Sequence, residues 1–285
     1  MKIIASTDLK KTATAFLLGF LFLFTARSLA QVSIAPTALF FNNQSRFSSL
    51  TISNGGQQAQ EISISTEFGY PTSQNGNLVI TKDSAMAQKK SIADWIKVFP
   101  KNFTLQPQQR QVVRFVARPP SGLKPGGYWS RVKIKSNPVS PPIESVGENQ
   151  VGAQINLVVN QVIAAHYDTR NAKTGVDVSS VDFSQVDSTN TGRIAVHMKQ
   201  TGNAPFIGSI SLKVVGSNGG DPIYQTSTTN SVYTTITRVF NVDLSDVKPG
   251  QYTISGTVTS ERRDISADKL LQIKPVSFRK QITIE

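Results

Sequence analysis

From Val32 onward the apolar residues of this chain fall at every second position. Val32 and Ile34, Leu50 and Ile52, Ile62 and Ile64, Val132 and Ile134, Ile155 with Leu157 and Val159, Ile210 with Leu212 and Val214, Ile254 and Val258, and Ile282 and Ile284 each alternate with small or polar residues. A period of two marks a β-strand with one buried face, because successive side chains leave a strand on opposite sides. Between the runs stand Asn54-Gly55-Gly56, Pro125-Gly126-Gly127, Gly202-Asn203, Asn218-Gly219-Gly220 and Pro249-Gly250, residues that set or free the backbone angles of tight turns. Short alternating strands at this spacing predict an all-β protein built from antiparallel sandwiches. Helix is scarce; the best candidate is a single turn at Ser91-Ile92-Ala93-Asp94-Trp95 with Ser91 as its cap.

A repeat divides the chain. Leu123-Lys124-Pro125-Gly126-Gly127-Tyr128 and Val247-Lys248-Pro249-Gly250-Gln251-Tyr252 recur 124 residues apart, each followed by an alternating strand. In a sandwich this is the corner before a late strand, where Pro and Gly set the turn and the tyrosine hydroxyl bonds back to the chain. Two such corners predict two similar sandwiches. The polar segment Asp168 to Gly175 after a long strand supplies the boundary, giving a first domain over 31–167 and a second over 168–285. The Pro-rich run Ser136 to Pro142 then becomes a loop joining the last two strands of the first domain.

Residues 1–30 stand apart from both domains. Lys2, Lys10 and Lys11 precede an apolar stretch from Thr12 to Ala26, and Ser28-Leu29-Ala30 offers small residues for cleavage, so the segment reads as a secretory signal peptide cut after Ala30. The stretch falls short of the ~20 apolar residues needed to span hydrocarbon. The expectation is an exported, soluble protein with no stable membrane anchor.

The composition narrows the chemistry. With no cysteine and only two histidines among 285 residues, no protein-only zinc, iron–sulfur or thiol-nucleophile site can be written. The 30 Lys and Arg outnumber the 18 Asp and Glu, yet they are spread thinly, with Lys89-Lys90 and Arg262-Arg263 as the densest pairs. Such a distribution reads as solvated strand faces that help steer acidic clients, rather than as a nucleic-acid patch. His166 and Asp168 with one of many serines allow a hydrolytic triad to be drawn, but no Gly-x-Ser-x-Gly elbow accompanies them, so no enzyme and no cofactor is expected. Trp95, Phe99 and Phe103 are expected in core and loop packing rather than as an aromatic ligand platform.

One stretch carries a resemblance. Trp95-Ile96-Lys97-Val98-Phe99-Pro100-Lys101-Asn102-Phe103-Thr104-Leu105-Gln106-Pro107, then Gln111-Val112-Val113-Arg114, then Leu123 to Tyr128, resembles the amino-terminal domain of periplasmic pilus-assembly chaperones of the chaperone–usher pathway, the PapD-like family. Val32-Ser33-Ile34-Ala35-Pro36-Thr37, Leu50 to Asn54 and Ile155 to Val159 fall in that family's order, so the resemblance covers residues 32–167; beyond 168 it rests on a second sandwich pattern and on Thr201 to Phe206. It implies two immunoglobulin-like sandwiches in an L-shaped arrangement, a location in the periplasm, and a role in pilus assembly, fimbrial biogenesis and cell wall organization. The partners implied are a subunit of a pilus or surface fibre and an outer-membrane usher, with no nucleic acid.

The mechanism implied is donor-strand complementation, in which an exposed strand edge pairs with the client while alternate side chains fill its groove. The resemblance places that role on Ile155, Leu157 and Val159, which lie at i, i+2 and i+4 and so leave one strand in one direction. Periodicity alone favours the three facing their own core, and the resemblance tips the reading toward the client. The family also grips the client's carboxyl terminus with an Arg and a Lys, and the same alignment puts Ala38 and Ala164 at those two positions. His166, Arg170 and Lys173 are the candidate hinge cations nearby. The alternative reading is a structural or adhesive fibre protein made of the same sandwiches.

Overall fold

The computed structural model describes residues 32–139, 157–186 and 189–285. Eleven strands build the first sandwich and its attached hairpin. One sheet has the order β1 (Val32–Ala35), β3 (Phe47–Asn54), β9 (Arg110–Ala117), β7 (Ile96–Phe99). The facing sheet has the order β2 (Ala38–Asn42), β11 (Val159–Asp168), β10 (Gly127–Pro138), β4 (Gln60–Glu67), β8 (Asn102–Leu105). The hairpin of β5 (Tyr70–Gln74) and β6 (Asn77–Thr81) follows β4 in the chain and reaches over to the second sandwich, where Ser73 Oγ accepts from the Thr237 N–H at 2.9 Å, and it is followed by the short helix α1 (Ser84–Lys90). The second sandwich packs β12 (Val176–Val186), β13 (Thr191–Gln200) and β16 (Thr235–Asp243) against β15 (Tyr224–Val232), β14 (Phe206–Gly216), β17 (Gly250–Thr259) and β18 (Val276–Ile284).

The period-two runs point into these two cores. Leu50, Ile52, Ile62, Ile64, Val132 and Ile134 are buried in the first, and Ile210, Leu212, Val214, Ile254, Val258, Ile282 and Ile284 in the second. Both corners close in the same way: Tyr128 donates its hydroxyl to the Lys124 carbonyl at 2.9 Å and Tyr252 to the Lys248 carbonyl at 2.8 Å. Gly126 and Gly250 hold φ of 144° and 154°, a region closed to residues with a Cβ, and this explains the glycine in each repeat.

Three local expectations are corrected. The helix lies earlier than expected, over Ser84–Lys90, where the Asp83 carboxylate accepts from the Met86 N–H at 2.9 Å as the cap. Ser91 ends that helix, and the predicted site is only a turn in which Trp95 N–H donates to Ile92 O at 3.0 Å. No residue of α1 is buried, so no apolar stripe announced it. The Pro-rich run is in part a strand, since β10 continues through Ser136 and Asn137 to Pro138, a terminal position where a missing N–H costs little. Phe99, expected in core or loop packing, stands 77% exposed on β7, where Ile96 faces the core and the alternate residues face out.

The sandwiches meet through an aromatic cluster. Tyr70 and Trp129 of the first pack on Tyr233 of the second, with Phe68 and Met86 against them. Backbone bonds run beside it, from Gly127 N–H to Asn203 O at 3.0 Å and from Asn203 N–H to Lys173 O at 2.8 Å.

Candidate client-binding edge

β11 is paired unequally on its two sides. Antiparallel to β10 it is matched along its whole length, from Val159 opposite Ser136 to Asp168 opposite Gly127. On the other side β2 runs parallel to it only from Ala164 to Asp168. The chain that forms β2 first serves as β1, paired with β3 in the facing sheet, so it reaches β11 only from Ala38 onward. Val159 to Ile163 therefore keeps an edge with no strand partner among the described residues. An edge of that kind presents unpaired N–H and C=O groups to another chain.

The side chains change character along this strand. Ile163, Ala165 and Tyr167 are buried in the first core. Gln161 stands next on the same face, and its amide donates to the Val32 carbonyl at 2.7 Å, which closes the core at that point. Val159 beyond it is half-buried, and Leu157, continuing the spacing, is 68% exposed. Ile155 lies outside the described residues. Val162, on the opposite face, is also exposed.

Comparison with solved structures finds several of similar form. The chain resembles periplasmic pilus chaperones. The YadV chaperone aligns with a TM-score of 0.47 at 8% identity, covering 89% of this chain and 100% of that chain. The E. coli chaperone DraB aligns at 0.41 and 15% identity, covering 89% and 97%. A chain from the structure of Salmonella enterica SafA pilin in complex with the SafB chaperone aligns at 0.42 and 14%, covering 89% and 98%. No protein-family model and no curated protein matches the sequence.

Ala38 on β2 and Ala164 on β11 are direct register partners. Two methyl groups there offer no donor to a carboxylate. The third residue of that row is Arg131 on β10, opposite Ala164. Arg131 is turned into the domain interface, where its Nε donates to Gly69 O at 3.1 Å and its guanidinium stands 5.4 Å from the Tyr233 ring centre. Sequence reasoning passed over Arg131, because one Arg inside an otherwise ordinary strand carries no spacing signal.

The candidate hinge cations need one correction. His166 is no cation: it is buried between Phe40 and Tyr233, with its Nε2 3.2 Å from the Tyr233 hydroxyl. Burial, and then the nearby charges of Arg131 and Arg262, push its pKa down to about 3 and hold the ring neutral. Burial also raises the carboxyl of Asp168 to about 6. Arg170 and Lys173 are exposed residues of the connection between sandwiches, and Lys173 serves it with its backbone, donating its N–H to Asn203 Oδ1 at 2.7 Å. Both follow the Asp168 end of β11, roughly 30 Å along the strand from its open end. The open edge and these cations are thus separate features.

Proposed function

We propose that this chain is a periplasmic chaperone that holds an exported pilus or fibre subunit on the open edge of β11. In this reading residues 1–30 direct export, 31–167 form the client-holding domain and 168–285 the second domain, and an outer-membrane usher receives the loaded complex. The observation that carries the reading is that Val159 to Ile163 has no strand partner on one side among the described residues, next to a leucine left 68% exposed. A client strand laid there satisfies the free backbone groups of the edge, while Val159, Leu157 and Ile155 enter the client's groove. Burying three such side chains contributes on the order of 5–8 kcal/mol before ordering costs.

Leu157→Asp is the test. Because Leu157 already faces solvent, the variant folds with wild-type stability, whereas its carboxylate is buried unpaired once a client covers it, and client yield in affinity capture falls at least about tenfold. A variant that unfolds alone, or that retains its client at wild-type yield, refutes strand donation. With alanines at both clamp positions, amidating the client's carboxyl terminus leaves capture unchanged within about twofold.

A further inference from the structure

Beyond the Asp168 end of β11 lies a cavity of about 610 Å³ that the chaperone reading leaves without a role. Three connections enclose it: the one after β2, with Asn43 and Arg46; the proline-rich run between β9 and β10; and the start of the link between the sandwiches, with Arg170. Their backbones are tied down. The Arg46 carbonyl accepts from the Ala117 N–H at 2.8 Å, and Thr169 donates its N–H to the Gly126 carbonyl at 3.1 Å while its hydroxyl accepts from the Gly126 N–H at 2.8 Å. Tyr167, buried in the core, donates its hydroxyl to Asn43 Oδ1 at 2.6 Å, which orients that amide and leaves its NH₂ free to donate. Burial raises the Tyr167 phenol pKa and the charge of Arg46 opposes that rise, so this guanidinium acts at the inner end of the cavity. No acidic side chain lines the cavity, and among the described residues neither Arg46 nor Arg170 belongs to an ion pair. Arg170 also borders the neighbouring cavity that holds Asp168 and Asp268, yet it pairs with neither.

We propose that this cavity binds a phosphate monoester. Two guanidiniums without acidic counter-charge match a dianion better than a single carboxylate, and the planar fork of each fits phosphate oxygens. The free amide of Asn43 adds a donor from the same side. An apolar wall of Pro119, Pro120, Leu123 and Pro125 lines the rest and takes the carbon chain of the ester. The cavity lies away from the open edge of β11, so the proposal does not depend on the chaperone reading.

The test is an amide NMR titration of the mature chain with hexyl phosphate, inorganic phosphate and hexanoate. Hexyl phosphate is expected to saturate in the millimolar range, with shifts confined to residues 43–46, 119–125 and 167–171. Inorganic phosphate lacks the chain and hexanoate carries one charge, so each binds at least about fivefold more weakly. Arg46→Gln and Arg170→Gln each lower the affinity for hexyl phosphate at least about fivefold, and their dispersed spectra confirm the fold. Arg279→Gln removes the same charge from an exposed position of the second sandwich and changes affinity less than twofold. Vesicles of phosphatidic acid in phosphatidylcholine separate the two sources of such a group. Co-sedimentation that both cavity variants lose supports a lipid headgroup, and hexyl phosphate binding without co-sedimentation supports a soluble ester. An equal loss in Arg279→Gln would assign binding to net charge and overturn the proposal. Hexanoate bound as tightly as hexyl phosphate, cavity variants that bind like wild type, or no saturable binding also overturns it.

Discussion

Tyr233 is the side chain on which the coupling of the two sandwiches should depend most. It comes from the second sandwich, is 5% exposed, and is enclosed by the first. Its ring centre lies 5.1 Å from that of Trp129, 6.1 Å from Tyr70 and 5.8 Å from His166, and its hydroxyl meets His166 Nε2 at 3.2 Å. Truncating a buried aromatic costs about 3–5 kcal/mol, and here the cavity opens beside the buried charge of Arg131, which loses the ring it stands over. Tyr233→Ala is therefore expected to uncouple the domains, turning one cooperative unfolding transition into two. Tyr233→Phe keeps the ring and leaves one imidazole nitrogen unpaired, at a cost of about 1–2 kcal/mol with a single transition retained. Calorimetry and urea titration of both variants measure this, with hydrogen exchange in β11 reporting on the first sandwich. A Tyr233→Ala protein that unfolds in one step at the wild-type midpoint would show that the cluster is contact without coupling.

The corner tyrosines are expected to differ: Tyr128→Phe loses about 1 kcal/mol, because its hydroxyl bond is shielded, and Tyr252→Phe about half that, because its bond is exposed; equal losses in urea titration would contradict the argument. The pH profile has two opposing parts. Asp168, held up at about 6, favours the folded state as pH falls from about 6 toward its ordinary value near 4. His166, held down at about 3, disfavours it as pH falls below its ordinary value near 6.5. The two largely offset between about pH 6 and 4, so Asp168→Asn should expose a stability loss beginning near pH 6.5, and unchanged urea midpoints from pH 7 to 4 in that variant would refute it.

What the sequence determined by itself was whatever depends on neighbours along the chain. Alternation at Leu50 and Ile52 or at Ile210, Leu212 and Val214 requires only that a strand have two faces, and each of these residues is buried as the period demands. The corners were legible for the same reason: Pro, Gly and Tyr lie within six residues, and the hydroxyl reaches back only four positions. The tertiary structure decided everything that depends on which strand lies beside which. Whether Val159 to Ile163 is an edge or an interior strand turns on where β2 begins, a fact of sheet order that no local pattern contains. His166 reads as a cation in the chain and is neutral in the fold, because Tyr233, 67 positions away, closes over it and removes the water its charge would need. Arg110 and Arg114 share a face of β9 through the period of the strand, and Lys97, far from them in the chain, joins that face only because β7 pairs with β9. Strand pairing joins residues far apart in the chain, and an amino-acid sequence by itself records only those that are near.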